Sequence, residues 1–280
     1  MDRDARRRRI AALDPAVDHR EITRLFYLDF QSVMLLQAVT GNLMTFAVPR
    51  MSRILDATGQ FTEHTARRFI DTTLLVNEVL EHGLDPGPGR DAARRVNGMH
   101  RHYDIHPDDF VAVGCDVPLM SLEIADRFGW RPVLDAERES LRLHFSAVAR
   151  AFGSHHPMPP ALPQMRARWD RYLDEQVAYE PQNERLTRAF LNYLPTLLPR
   201  PVRPLINPIL TAQVDPRILR GCGLPLPSRA RRRLSTTVLR TLGRLDPRPD
   251  SPPGSAGPLD QHIKAIYPYG WSTPDLGTHH

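Results

Sequence analysis

The chain has 280 residues, with 37 Lys+Arg against 32 Asp+Glu, a formal net charge of +5 and 41% hydrophobic residues. That length can bury a sizeable core within one large domain, and the composition excludes a disordered or collagen-like chain. Nearly every basic residue is arginine, with Lys264 the only lysine, and no aromatic residues interleave with the runs Arg6–Arg9 and Arg229–Arg233, so no nucleic-acid partner is expected.

Residues 1–15 form an arginine-rich lead, expected to be disordered or a frayed helix. No apolar run follows it, so it does not read as a signal peptide. From Asp18 to Ala47, apolar residues recur at helical spacing (Ile22, Leu25, Phe26, Phe30, Val33, Leu36), which predicts two helices or one that bends at Gly41. Within this region Ser32–Val48 is the longest apolar stretch. It is interrupted by Gln37, Thr40, Gly41 and Asn42, too short and too polar to cross a bilayer, although its face could rest on lipid as a peripheral contact. A short helix over Pro49–Gly59 follows. The next helix starts at Thr62 or Thr65 as N-cap and closes at His82-Gly83.

Asp85-Pro86-Gly87-Pro88-Gly89 is a turn. The helix after it begins near Arg90 and carries His100. Another starts after Pro107 with Asp108-Asp109 favouring its dipole, and runs to Phe128-Gly129 with a kink or bend at Pro118. Asp135 is the expected cap of a helix from Ala136 to Phe152. Helices over 162–178 and 183–194 follow the rigid Pro157–Pro160 loop. Beyond Leu198 come short helices near 202–214 and 230–242. Residues 246–280 read as a Pro/Gly-rich tail, with 246–258 expected to be disordered. No stretch alternates with period two and no fixed-length repeat appears, so the expected fold is all-α: a single multi-helix bundle-like domain over 16–245.

The chemistry concentrates on two of these helices. Arg68 and Thr72 lie one turn apart and leave the same helix face. His100 sits near the end of the following helix, where Val96 and Met99 look inward. A cation, a hydroxyl and an imidazole on facing helices are the parts from which a helical bundle builds a cofactor site. The same residues also allow a plainer reading. Arg68 could pair with Asp71, Glu78 or Asp104, and Thr72 could bond back to the Arg68 carbonyl. Asp71 could orient Arg67 or His100 or be solvated, and Tyr103 and Asp104 could simply tie helices together. Apolar residues around Leu28–Leu36 and Phe46 are either a substrate wall or plain core. Cys115 and Cys222 stand in no metal-ligand spacing and point to a reducing, cytoplasmic setting.

The order of these segments resembles the MpaB-type oxygenases, the helical superfamily that includes the latex-clearing rubber oxygenases. The resemblance rests on Asp18-His19-Arg20-Glu21-Ile22, Thr58-Gly59-Gln60-Phe61-Thr62, Arg68-Phe69-Ile70-Asp71-Thr72, Asn97-Gly98-Met99-His100-Arg101-His102-Tyr103-Asp104-Ile105, Asp108-Asp109 and Phe128-Gly129-Trp130-Arg131-Pro132. It spans roughly residues 15–200 and is closest to the MpaB branch.

The resemblance implies a haem b enzyme that uses dioxygen on a small apolar substrate, isoprenoid or another secondary metabolite. His100 matches the axial iron ligand, with His106 the runner-up. Arg68 and Thr72 match residues lining the haem pocket, with Asp71 and Tyr103 beside them. One neutral imidazole is enough to hold a b-type haem while leaving the opposite side open. Some positions depart from the pattern: Asp71 stands where rubber oxygenases carry lysine, Val111–Asp116 is smaller and more polar, and His106-Pro107 replaces a serine-asparagine-like pair. No glutamate matches the proposed base of the rubber oxygenases. Double-bond cleavage is therefore not implied, and two alternatives stand beside oxygenation: a haem enzyme that dehydrogenates or couples its substrate, and a helical binding protein without haem.

Overall fold

A computed structural model describes residues 3–245 and 259–278. The 246–258 segment and the terminal His279-His280 pair lie outside the described residues. Fifteen α-helices, with no strand among the described residues, form one helical domain, as the absence of period-two patterning predicts.

The arginine-rich lead is ordered structure. Helix α1 (Arg3–Ala11) buries Ile10 completely and leaves Arg6 only 3% exposed. It packs on α2 (Pro15–Phe30), capped by the Asp14 carboxylate accepting from the Ala16 amide at 2.9 Å. The 18–47 region divides at the Gln31–Met34 turn rather than at Gly41, which lies inside α3 (Leu35–Phe46). Leu36, Val39, Leu43, Met44 and Phe46 of α3 are all buried. This apolar face is core, packed against the rest of the domain rather than presented to lipid.

Helix α4 (Pro49–Ala57) and the one-turn α5 (Gln60–Glu63) lead into α6 (Thr65–His82). Neither threonine caps α6, since Thr62 lies within α5 and the Thr65 hydroxyl donates to the Phe61 carbonyl at 2.5 Å. Gly83 ends the helix with φ +76°, the left-handed turn that glycine takes without strain. Helix α7 (Pro88–His100) packs back along α6. Helix α8 (Pro107–Phe128) runs through Pro118 without a break, and α9 (Asp135–Ala151) lies against both α8 and α2. Glu137, rather than Asp135, secures the start of α9, accepting from the Leu134 amide at 2.8 Å. Helices α10 (Leu162–Gln176), α11 (Pro181–Tyr193), α12 (Arg203–Thr211), α13 (Pro216–Gly221) and α14 (Arg229–Arg244) complete the body, and α15 (Asp260–Ile266) packs on α6.

A balanced buried ion network fixes the α1–α2–α9 corner. Asp29 accepts from Arg6 at 2.5 Å and from Arg131 at 2.7 Å, and Glu137 accepts from Arg131 at 2.5 Å. Two guanidinium groups meet two carboxylates, so no charge is left alone in the interior. Trp130 donates to the Asp29 carbonyl at 2.8 Å, and Arg131 lies over the Phe30 ring.

Most of the unusual Val111–Asp116 stretch is core, with Val113 alone exposed. Val111, Ala112, Cys115 and Asp116 are buried, and Gly114 lets Met158 and Ala149 approach where a Cβ would meet them at 2.8 and 3.0 Å. Asp116 sits beside Gly41 of α3 and accepts from the Trp169 indole at 3.1 Å. Burial raises its pKa to about 7. An acid whose folded pKa is raised adds stability that is full below its unfolded pKa, about 4, and is lost as pH rises toward the folded value. Urea unfolding of wild type and Asp116→Asn should therefore diverge between pH 5 and 8, with the Asn variant gaining relative stability as pH rises. A difference that is flat with pH would contradict this assignment.

Candidate functional site

His100 is the last residue of α7, half-buried, with its Nδ1 2.8 Å from the Phe152 carbonyl at the end of α9. A carbonyl only accepts, so Nδ1 carries the proton and Nε2 keeps its lone pair. Gly153, at φ +117°, turns the chain just past Phe152 and brings it against α7, where a Cβ would stand 3.2 Å from the Asn97 side-chain oxygen. Phe110 of α8 meets the His100 ring edge-on, with centroids 5.4 Å apart. Burial, and then the positive charge of Arg68, lower the His100 pKa, so the imidazole is neutral.

Arg68 lies on α6, on the helix that packs against α7. Its guanidinium donates to the Thr72 hydroxyl, which in turn donates to the Arg68 carbonyl at 2.9 Å. The guanidinium also lies over the Phe61 ring, 5.2 Å from its centroid. None of the expected salt bridges forms: Asp71 acts on Arg68 only at longer range, and Glu78 lies near His82 instead. Burial lowers the Arg68 pKa, although Asp71 and Tyr103 attract the charge. Arg68 and His100 both retain accessible surface while lying deep enough to be desolvated. Thr72, which Arg68 meets, is exposed, so this side of α6 opens toward the protein surface.

Tyr103 connects this cluster to a neighbouring cavity of about 690 Å³, lined by residues that include Arg53, Gln60, His102, Tyr103, Asp104 and Thr278. His100, Arg68 and Thr72 do not line it. Its size is within the usual range for small-molecule sites, and its wall sets apolar surface, Ile54 and Ala57 included, beside polar side chains.

Asp71 is 2% exposed and serves a different purpose from Arg68 and Thr72. Its carboxylate accepts from the Tyr267 hydroxyl at 2.6 Å and from the Gly277 amide at 2.9 Å, with Arg67 3.8 Å away. Asp71 thus anchors a C-terminal segment that returns across α6 and α7. Arg95 donates to the Leu276 and Thr278 carbonyls at 3.0 Å each, and Leu276 is fully buried. Gly277, at φ +81°, passes so close to Met99 that a Cβ would lie 2.4 Å from its sulfur. The segment expected to be part of a loose tail therefore covers both site helices, and its Thr278 forms part of the cavity wall.

The other histidines stand apart. His106 is the N-cap of α8, its Nδ1 accepting from the Asp108 amide at 3.2 Å, and His102 is exposed. His144 is buried against His19 on the α2–α9 interface, and burial lowers its pKa to about 3. No group of three or more His, Cys, Asp or Glu side chains among the described residues is placed to hold a metal ion. Both cysteines are buried and unpaired.

A family model described as "ER-bound oxygenase mpaB/B'/Rubber oxygenase, catalytic domain" matches residues 26–245, more than half of the chain. The chain belongs to this oxygenase family. No match was found among curated proteins. The matched span includes α6, α7 and the Phe152 acceptor, and ends before the 259–278 segment that Asp71 anchors. No helix of the described residues is long and apolar enough to cross a membrane.

The anchor has a direct consequence. Asp71→Ala removes the acceptor of two hydrogen bonds, each worth about 1.5–3 kcal/mol when one partner is charged. Limited proteolysis of the variant should cleave within 259–278 much faster than in wild type, while residues 3–245 stay resistant. Equal cleavage of the two proteins would show that Asp71 does not hold the segment.

Proposed function

We propose that this family member is a haem b-dependent oxygenase that uses dioxygen on a small apolar substrate, isoprenoid or another secondary metabolite, in the cytoplasm. The observation that carries the reading is His100: a neutral imidazole whose Nδ1 proton is committed to Phe152, leaving Nε2 free, with Arg68 near enough for its charge to lower the imidazole pKa. The substrate class and dioxygen rest on the family and on the resemblance of the site motifs.

The side chains suit haem on two counts. Nε2 of His100 has the lone pair and the tautomer with which it would hold a haem iron. Arg68 is a desolvated guanidinium with no ion-pair partner among the described residues, a setting in which a propionate would supply the missing anion. Haem b, when bound, supplies the redox chemistry with dioxygen.

The chain's own residues provide position and environment. Phe152 and Phe110 hold the His100 ring in one tautomer and one orientation. Thr72 braces Arg68 through a reciprocal pair of hydrogen bonds, which leaves the cation less rotamer freedom to lose on binding. Tyr103 lines the cavity and acts electrostatically on Arg68, placed to orient a polar group of the substrate. The C-terminal segment packs on α6 and α7 through Asp71, Arg95 and Met99 and steadies the two site helices against each other.

Protein purified from cells supplied with haem should show a Soret band. His100→Ala should abolish or shift that band, and Arg68→Ala should keep it but weaken haem affinity by roughly tenfold or more, from the loss of a charged hydrogen bond. Absence of the band in folded wild-type protein would overturn the cofactor assignment. With a turned-over substrate, oxygen-18 from labelled dioxygen should enter the product, and its absence would favour dehydrogenation or coupling.

A further inference from the structure

Arg68 and Asp71 stand at i and i+3 on α6, a separation at which a guanidinium and a carboxylate on one helix are neighbours. They do not pair: Arg68 bonds to Thr72 and lies over the Phe61 ring, and the Asp71 charge acts on it only at longer range. The cause lies at the far end of the chain. Both oxygens of the buried Asp71 carboxylate are taken by the 259–278 segment, Oδ1 accepting from the Tyr267 hydroxyl at 2.6 Å and Oδ2 from the Gly277 amide at 2.9 Å.

Arg67 is the other arginine within reach of Asp71, and it too belongs to the segment. It stands 3.8 Å from Oδ2, lies over the Tyr267 ring with 5.6 Å to the centroid, and donates to the Asp275 carbonyl at 3.4 Å. Oδ1 is therefore left to Tyr267. Without that hydroxyl, Oδ1 becomes a buried charged acceptor with no donor, which is costly, and Arg68 is the cation on the same helix that lacks an anion.

We propose that Tyr267 is a positioning residue for anion binding at Arg68: by holding Asp71 Oδ1 it keeps the carboxylate from pairing with Arg68, so the guanidinium stays open to a carboxylate of the bound ligand. The inference rests on the reading of Arg68 as the partner of a haem propionate. It deepens that reading by giving a role to a residue outside the 26–245 span that the family model matches.

The test is a fluorescence titration of the full chain, prepared without haem, with protoporphyrin IX, which offers two propionates and no iron. Tyr267→Phe keeps the ring beside Arg67 and removes only the hydroxyl, and it should weaken binding by about tenfold. Adding Asp71→Asn removes the competing charge and should restore binding to within about twofold of wild type, although it loosens the segment further. A segment that only steadied the helices would give the opposite order, with the double variant the weaker. In an Arg68→Ala background, Tyr267→Phe should cause no additional loss. If Tyr267→Phe fails to fold, Asp71→Asn alone decides, since it should bind at least as tightly as wild type. Tyr267→Phe binding porphyrin as wild type does would overturn the proposal, as would a double variant or an Asp71→Asn protein that binds more weakly than expected. Wild type that takes up neither haem nor porphyrin would overturn the haem reading, and the proposal with it.

Discussion

The site depends on a single hydrogen bond between two helices, from His100 at the end of α7 to the Phe152 carbonyl at the end of α9. It decides which imidazole nitrogen carries the proton and therefore which one can serve as a ligand. It also explains much of the surrounding architecture. Phe152 can reach His100 only because Gly153 adopts a left-handed turn against Asn97, and because α9 is held at its other end. That hold is the Arg6–Asp29–Arg131–Glu137 network, in which both charges of each sign are paired. The Phe128–Pro132 segment thus contributes to the site at a distance, by fixing the helix that presents the carbonyl.

A second constraint comes from Arg68. A desolvated guanidinium braced by Thr72 but facing no carboxylate is electrostatically incomplete. The nearest acid on its own helix, Asp71, is already committed to Tyr267 and Gly277. Removing Asp71 from the competition leaves Arg68 available to an external anion. The C-terminal segment is therefore part of the electrostatics of the site as well as its cover.

The all-α class, the long helices and the pairing of Arg68 and Thr72 were legible because they depend on local spacing. His100 was legible as a candidate through the ordered motif around it. What the sequence could not reveal were the long-range partners. Phe152 acts through a backbone carbonyl, which leaves no side-chain signature, and only the glycine after it gives a hint. Asp71 reads as a helix-surface acid until Tyr267, nearly two hundred residues away, donates to it. The N-terminal arginines read as a solvated lead, yet Arg6 is buried because Asp29 needs a second cation. In the same way Val111–Asp116 looks like an altered pocket wall in sequence, whereas small residues there serve close helix packing.

The central claim, that His100 presents Nε2 to a haem iron, is tested most directly by the resonance Raman spectrum of the ferrous protein. Wild type should show an iron–histidine stretching band. His100→Gly should lose that band and recover an iron–imidazole band on addition of free imidazole. A His100→Gly protein that keeps the wild-type band without imidazole would place the ligand on another residue and contradict the account.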